Sequence, residues 1–129
     1  MLFNGVKNTL IKLRNLNIRN YLVTNKPRLP TEKILDILKI INYFVHVVCP
    51  DSITPCFPSK SDEVACLIDK HGLDHETILS VGDTNEDKVA AINCRIRFAA
   101  ASYGYGNFGE DSAFIDFGMN KMADLFEIV

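Results

Sequence analysis

The sequence lacks both the long apolar run and the block of like charges that would direct a protein to a membrane or to nucleic acid. No stretch approaches the roughly 20 apolar residues that a transmembrane helix needs. The N-terminal residues also lack the apolar core and small-residue cleavage site of a secretory signal. Fourteen basic and sixteen acidic residues are interspersed and leave a net charge of −2, so we expect neither nucleic acid nor an anionic membrane as a partner. These absences predict a soluble, cytoplasmic protein.

Cysteine pairs with metal-binding spacing are absent as well. The four cysteines form no C-x-x-C pair and lie in strand-like, loop and helical segments alike; they are Cys49, Cys56, Cys66 and Cys94. We therefore expect free thiols rather than a disulfide framework or a zinc site. Of the 129 residues, 47% are hydrophobic, which is enough apolar side-chain volume for one core. A single domain over residues 1–129 is the prediction.

Strand-like and helix-like patterns alternate along the chain. The first helix is indicated by Val6, Leu10, Leu13 and Leu16, whose spacing is close to the helical period. The predicted elements are helix 6–16, strand 21–23, helix 31–41, strand 44–48, helix 61–72, strand 78–81, helix 86–93, strand 96–101, strand 113–117 and helix 121–128. Thr31 is the predicted N-cap of its helix, and Gly72 suits a left-handed C-terminal position. Such repeated βα units predict an α/β fold with a parallel sheet flanked by helices on both faces.

The most informative segment, GDTNED at 82–87, follows the buried strand 78–81 directly and leads into a helix. It places Asp83 at the carboxyl end of the strand and Asp87 one helical turn later. Two carboxylates at such a point are suitable ligands for Mg²⁺, which prefers carboxylate and water oxygens. The structural alternative is that Thr84 caps the helix and Asp87 completes a pair resembling a capping box. The residues alone leave both interpretations open.

Polar residues also occupy two other points at which a predicted strand ends or a predicted helix begins. The strand 21–23 ends in Thr24-Asn25, where a hydroxyl, an amide and backbone N–H groups are suited to holding a phosphate oxygen. Lys60 precedes the helix that ends at Gly72, from where an ammonium group can neutralise a phosphoryl group. The structural alternative for Thr24-Asn25 is an ordinary strand-to-helix turn that ends at Pro27. The alternative for Lys60 is a solvated surface lysine.

In their order along the chain, Thr24-Asn25, Lys60 and the segment 82–87 resemble motifs two, three and four of the haloacid dehalogenase (HAD) superfamily. The likeness is greatest to its phosphoglycolate-phosphatase-like branch. Further similar segments are LFNGV at 2–6, LVTNKP at 22–27, YGYG at 103–106 and FID at 114–116. The resemblance covers nearly the whole chain and implies a HAD-like Rossmannoid parallel sheet. It also implies a hydrolase, a phosphatase that uses Mg²⁺ and takes a small phosphorylated metabolite as substrate.

The resemblance assigns a role to each candidate residue. Thr24 would hydrogen-bond the transferring phosphoryl group, and Asn25 would add a backbone or side-chain contact. Lys60 would stabilise negative charge on the phosphoryl oxygens and on the nucleophile. Asp83 would bind Mg²⁺ directly, and Asp87 would do so directly or through water and would also hold Lys60. One small departure is that Lys60 leads at once into its helix, without the proline of the Lys-Pro variant.

The first motif of the family, D-x-D-G-T, is missing, because no two of the ten aspartates lie two positions apart. In the family its first Asp attacks phosphorus and its second handles the proton of the leaving alcohol. The helical cap that follows this motif is missing too, so we expect a core segment without a cap domain. Since the cap selects the substrate in such enzymes, the substrate cannot be read from this sequence.

The family's first strand lies centrally, between the strands that end at Thr24 and Asp83. Its loss would open a slot of about 9.6 Å between strands normally about 4.8 Å apart, and each buried unpaired backbone group there would cost roughly 1 to 3 kcal/mol. We therefore expect one of three outcomes. The two strands pair directly, a second chain completes the sheet as a homo-oligomer or strand-completing partner, or the chain belongs to a longer polypeptide.

Two functional hypotheses follow. The first is a Mg²⁺-dependent phosphatase that acts through an aspartyl-phosphate whose nucleophile comes from elsewhere. The second is a non-catalytic HAD-like fragment that serves as a binding or subunit module.

Overall fold

The structure, a computed structural model, describes residues 6–101 and 117–119, which form alternating helices and strands. The helices are α1 (Val6–Asn15), α2 (Arg28–Ile37), α3 (Lys60–His71) and α4 (Asn85–Asn93). The strands are β1 (Tyr21–Val23), β2 (His46–Val48), β3 (Leu79–Gly82), β4 (Arg97–Ala101) and β5 (Phe117–Met119). Three short 3₁₀ turns cover Ile41–Tyr43, Pro50–Ser52 and His75–Thr77.

All the strand pairings are parallel. In the first sheet β1 pairs with β2, with Leu22 opposite Val47. In the second sheet the order is β3-β4-β5, with Gly82 opposite Ala100. Parallel pairing of strands separated by helices is the βαβ arrangement expected from the sequence, so the α/β prediction is confirmed.

The described strands form two separate sheets, and no ladder joins β1 to β3 among them. Direct pairing of these two strands, one of the three expected outcomes, is therefore not what the structure shows. Completion of the sheet by a second chain or by a longer polypeptide stays a prediction.

The chain divides into two compact units, Met1–Glu63 and Val64–Val129. In the first unit the buried side chains of Leu10, Leu35 and Ile40 pack together, with half-buried Leu22 and Val47 against them. In the second unit a core cluster contains buried Ala91, Phe98 and Ala100, with half-buried Ile96 against them. In each unit the apolar side of a helix packs against a strand, as the apolar periodicity of the sequence predicts. The single domain over residues 1–129 stays a prediction.

All four helices end in the same backbone arrangement. Each is followed by a residue in the left-handed region, and these are Asn17 (φ 61°), Lys39 (φ 57°), Gly72 (φ 58°) and Arg95 (φ 57°). The next residue is apolar in every case, and its N–H donates to the carbonyl five positions back at 2.9 to 3.0 Å: Ile18 to Leu13, Ile40 to Leu35, Leu73 to Ile68 and Ile96 to Ala91. This is the Schellman motif, which satisfies carbonyl groups left over at a helix end. The prediction for Gly72 is confirmed.

The predicted start of α2 at Thr31 is wrong. The helix begins at Arg28, and Thr31 lies one turn inside it, where its Oγ1 donates to the Pro27 carbonyl at 2.8 Å. A carboxylate from a distant loop does the capping instead, because Asp51 Oδ1 accepts the Arg28 N–H at 2.8 Å. The helix also ends at Ile37 rather than at 41, since a Schellman turn intervenes.

The other described elements lie within about two residues of their predicted bounds, and β1 matches fully. Of the predicted strand 113–117, only Phe117 lies among the described residues, and it belongs to β5. Residues 2–5, the loop 103–106, the segment 113–116 and the helix 121–128 fall outside the described residues. In the described part of the chain, no helix is long and apolar enough to cross a bilayer.

Candidate functional site

The segment 82–87, here called the acid turn, joins β3 to α4. Thr84 is the N-cap of α4, and its Oγ1 accepts the Asp87 N–H at 3.2 Å. The same hydroxyl donates to Asp87 Oδ2 at 2.9 Å, and the Thr84 N–H donates to that oxygen at 3.2 Å. The capping interpretation of Thr84 and Asp87 is thus confirmed.

Three donors converge on one carboxylate oxygen of Asp87. Oδ2 accepts from the two just described and from the Asp83 N–H at 3.1 Å. These bonds hold the Asp87 carboxylate against the turn.

Asp83 differs from Asp87 in its hydrogen bonding. Its side chain is half-buried, and among the described residues its carboxylate takes part in no hydrogen bond or ion pair. A carboxylate held at the end of a parallel strand without a protein donor is a suitable ligand for a hard cation. The described residues contain no cluster of three or more His, Cys, Asp or Glu that could hold a metal. A cation here would accordingly complete its shell with water or substrate oxygens, as Mg²⁺ commonly does.

Gly82 permits the close approach of Asp87 to the end of β3. A Cβ at position 82 would lie 2.7 Å from both Cγ and Oδ2 of Asp87, well inside van der Waals contact. Sequence reasoning did not find this role for Gly82, because the contact depends on how α4 folds back on the strand.

Thr24 lies at the carboxyl end of β1, in the first unit. Its N–H donates to the Val48 carbonyl at 3.1 Å, which continues the β1–β2 ladder by one residue. Its hydroxyl accepts the Lys26 N–H at 3.1 Å. Because a hydroxyl also has one proton to donate, Thr24 can still donate to a phosphoryl oxygen. Asn25, the next residue, is exposed.

Lys60 is the first residue of α3 and is half-buried. The helix start is stabilised by Ser59, whose hydroxyl donates to Asp62 Oδ2 at 2.6 Å and accepts the Asp62 N–H at 3.3 Å. The predicted position of Lys60 at a helix start is confirmed. What its ammonium group contacts in a substrate complex stays a prediction.

The candidate residues fall into two groups. Thr24, Asn25 and Lys60 belong to the first unit, and Asp83 and Asp87 belong to the second. Within the second unit Asp83 and Asp87 lie on one turn, where the Asp83 N–H donates to Asp87 Oδ2 at 3.1 Å. A cation held by both carboxylates stays a prediction. A pocket shared by all five residues stays a prediction.

Parallel βα units with polar residues at the ends of the strands define the Rossmannoid class of α/β proteins. Residues 1–101 match the family described as haloacid dehalogenase-like hydrolase. The chain therefore belongs to the haloacid dehalogenase-like hydrolase family, which confirms the resemblance inferred from the motifs.

Curated relatives within this family include phosphoglycolate phosphatases. The Vibrio cholerae enzyme is 34% identical over 133 aligned positions, which cover 99% of this chain and 57% of the enzyme. Phosphoglycolate phosphatase 1 of Pseudomonas aeruginosa is 32% identical over 108 positions, which cover 81% of this chain and 38% of the enzyme. The chain thus spans little more than half the length of the Vibrio cholerae enzyme and aligns with less than half of the Pseudomonas aeruginosa enzyme.

Solved structures agree with the sequence relatives. A predicted phosphoglycolate phosphatase from Haemophilus somnus superposes with a TM-score of 0.87 at 29% identity, covering 99% of this chain and 57% of that one. A haloacid dehalogenase-like family protein from Streptococcus pneumoniae gives a TM-score of 0.87 at 22% identity, with 99% and 60% covered. The second likeness shows the shared fold only.

Proposed function

We propose that this chain is the core part of a Mg²⁺-dependent phosphatase of small phosphorylated metabolites. The observation that carries the proposal is the Asp83 carboxylate, which lies at the end of β3 without a hydrogen-bond or ion-pair partner among the described residues. Asp87 lies on the same turn and is held there by three donors. Two carboxylates on one turn at a strand end suit Mg²⁺. The phosphoglycolate phosphatases among the relatives support the reaction class.

Each candidate residue has a role that its chemistry allows. Asp83 would hold the cation directly, and Asp87 would do so directly or through a water. Bound Mg²⁺ would neutralise charge on the phosphoryl oxygens and orient the phosphate group. The Thr24 hydroxyl would donate a hydrogen bond to a phosphoryl oxygen, with Asn25 adding a contact. The Lys60 ammonium group would stabilise the negative charge that develops during transfer.

The nucleophile has to come from outside these 129 residues, since none of the ten aspartates forms a D-x-D pair. In the proposed reaction an Asp carboxylate oxygen forms a bond to phosphorus while the bond to the alcohol oxygen breaks. A second Asp gives its proton to the leaving alcohol. Water then releases phosphate from the aspartyl-phosphate. A cytoplasmic location and a homo-oligomeric or strand-completing partner remain predictions.

The metal site can be tested by calorimetric titration of the whole chain with Mg²⁺. We expect Asp83→Asn to weaken binding at least about tenfold, because it replaces an ionic ligand by a neutral one. Asp69→Asn is the matched control, since it removes the same charge from an exposed position on α3 in the same unit. Equal binding by Asp83→Asn and the original chain would remove the metal site from the proposal.

The catalytic part of the proposal needs a measurement of turnover. Hydrolysis of p-nitrophenyl phosphate is measured with and without Mg²⁺, for the chain as it stands and for a chain extended at its N-terminus by a strand ending in D-x-D-G-T. We expect Mg²⁺-dependent turnover in the extended chain and its loss when Asp83→Asn is added. Activity that survives Asp83→Asn would point to a contaminating phosphatase.

The second candidate function is a non-catalytic binding or subunit module. The lack of any D-x-D pair favours it for the 129 residues taken alone. A folded extended chain that binds Mg²⁺ without hydrolysing the substrate would assign this function and exclude the first.

A further inference from the structure

A solvent-open groove of about 430 Å³ lies in the second unit, next to the start of β4. It is lined by His75, Glu76, Arg95, Ile96 and Arg97. None of these residues belongs to the candidate phosphatase site.

The groove lies at the opposite end of the sheet from the acid turn. Arg97 pairs with Leu79, the first residue of β3, whereas Asp83 follows the last residue of that strand. Four residues of parallel strand span about 13 Å. A ligand in the groove would therefore not contact Asp83, and the two sites can be tested separately.

The lining carries two guanidinium groups and one carboxylate. Among the described residues neither Arg95 nor Arg97 takes part in an ion pair, and both are exposed. Glu76 is the one acidic residue in the lining. With two arginines and one glutamate, the charged side chains of the lining are positive overall, which attracts anions. The planar guanidinium group also binds two oxygens of a phosphate at once.

The histidine ring adds a further polar atom with a defined position. Nδ1 of His75 lies 2.7 Å from the Cys94 carbonyl oxygen. A carbonyl oxygen only accepts, so Nδ1 carries a proton and donates in this bond. The bond ties the ring to the end of α4, just before Arg95. With its proton on Nδ1, the neutral ring presents Nε2 as an acceptor, which can take the O–H of a protonated phosphate group but donates to no phosphate oxygen.

We propose that this groove is an oxyanion-binding site for a phosphate group, held by Arg95 and Arg97 with His75 beside them. The same group is present in free inorganic phosphate and in an organic phosphate monoester. Acetate differs from both in its planar shape and single charge, and we expect it to bind more weakly.

The test uses ¹⁵N-resolved NMR of the whole chain, titrated with inorganic phosphate and, separately, with phenyl phosphate. Sodium chloride at equal ionic strength and acetate are the reference titrations. We expect saturable shifts of the amides of 75–76 and 95–97 with a phosphate group and no saturation with chloride. Saturation by inorganic phosphate would identify the free ion as a sufficient ligand, and saturation by phenyl phosphate alone would identify the monoester.

Variants decide whether the arginines carry the binding. Arg95→Gly removes one guanidinium group and suits the left-handed backbone at this position, so the turn should persist. We expect Arg95→Gly and Arg97→Gln each to weaken phosphate binding about tenfold, the effect of losing one charged hydrogen-bond partner. Arg19→Gln removes the same charge from an exposed position in the first unit and should leave the affinity unchanged.

Three results would overturn the proposal: no saturable shift at 75–76 and 95–97, full affinity in both groove variants, or an equal loss in Arg19→Gln. Lys60→Ala separates this site from the phosphatase site. The groove shifts should persist in that variant even if phosphate no longer binds near Thr24.

Discussion

At the scale of single residues, Asp87 has one observed role and one proposed role. Its Oδ2 caps α4 through the Thr84 hydroxyl and the backbone N–H groups of the acid turn, and we propose that the same carboxylate also binds a cation. Removing this carboxylate would therefore change stability and metal binding together. Asp83 has no such capping role among the described residues. It is the better position at which to test the metal alone.

Gly82→Ala should impair both the turn and the cation site. The new Cβ would lie 2.7 Å from Asp87 Cγ and Oδ2, and overpacking of this kind costs about 1 to 3 kcal/mol of unfolding free energy. The measurement is urea unfolding together with Mg²⁺ titration.

Gly72→Ala serves as the control for that substitution. It also introduces a methyl group, but with nothing within 4 Å and at a positive φ, so it should cost about 1 kcal/mol through backbone conformation alone. Normal Mg²⁺ binding is expected in Gly72→Ala. The same result in Gly82→Ala would contradict the account of the turn.

The four cysteines should separate into two reactivity classes. Cys49 and Cys94 are buried, and Cys56 and Cys66 are exposed. Burial raises the pKa of the Cys49 thiol, although a hydrogen bond with Thr31 opposes the shift. Since the thiolate is the reactive form, Cys49 should stay protonated and unreactive at the pH at which an exposed thiol begins to ionise.

Thiol titration with a disulfide reagent near pH 8 checks this prediction. Two thiols should react fast in the native chain, and all four should react fast in urea. Four fast thiols in the native chain would show that the first core is not packed as described.

At the scale of elements, most of the described helices are followed by a left-handed residue that is not glycine, although glycine would be expected there. Three of the four Schellman turns have Asn17, Lys39 or Arg95 at the left-handed position, and only α3 has a glycine, Gly72. The left-handed conformation costs a residue with a Cβ roughly 1 to 2 kcal/mol. At two of these turns the apolar residue that follows offsets this cost, because Ile40 is buried in the core of the first unit and Ile96 packs against the core of the second.

Lys39→Gly should stabilise the chain by about 1 kcal/mol, because glycine adopts a φ of 57° without a steric penalty. The matched control is Lys33→Gly, the same substitution at an exposed position inside α2. There it should destabilise by about 1 kcal/mol through lost helix propensity. Urea unfolding of both variants measures the two effects. Destabilisation in both would mean that the turn after α2 is not left-handed in solution.

At the scale of the whole molecule, the described strands form two parallel sheets rather than one. The chain spans 57% of the Vibrio cholerae enzyme, and its sequence contains no D-x-D pair. A central strand that pairs with both β1 and β3 would supply the missing motif and join the sheets, as the family's strand order implies.

Adding such a strand at the N-terminus should raise the urea midpoint of the chain as well as its activity. Each ladder hydrogen bond formed contributes about 0.5 to 1.5 kcal/mol. The control carries proline at two central positions of the added strand. These prolines remove two backbone N–H donors without shortening the strand. Equal midpoints for the two extended chains would contradict insertion into a sheet.

The sequence by itself was sufficient to predict the class of fold and the polar residues at the ends of the strands. Short apolar runs predicted β1, β3 and β4 to within about two residues, because the pattern of neighbouring side chains is a local property. Gly72 marked the end of α3 for the same reason. The order Thr24, Lys60, Asp83 indicated the family that the comparison confirms.

Only the tertiary structure decided the features that depend on distant contacts. Asp51 caps α2 from 23 residues away, which placed the helix start three residues before Thr31. The need for glycine at position 82 arises from the approach of Asp87. The groove beside Arg95 exists because the turns before β3 and β4 meet. Sequence patterns report the conformation of neighbouring residues, whereas caps, close approaches and grooves depend on which segments the fold brings together.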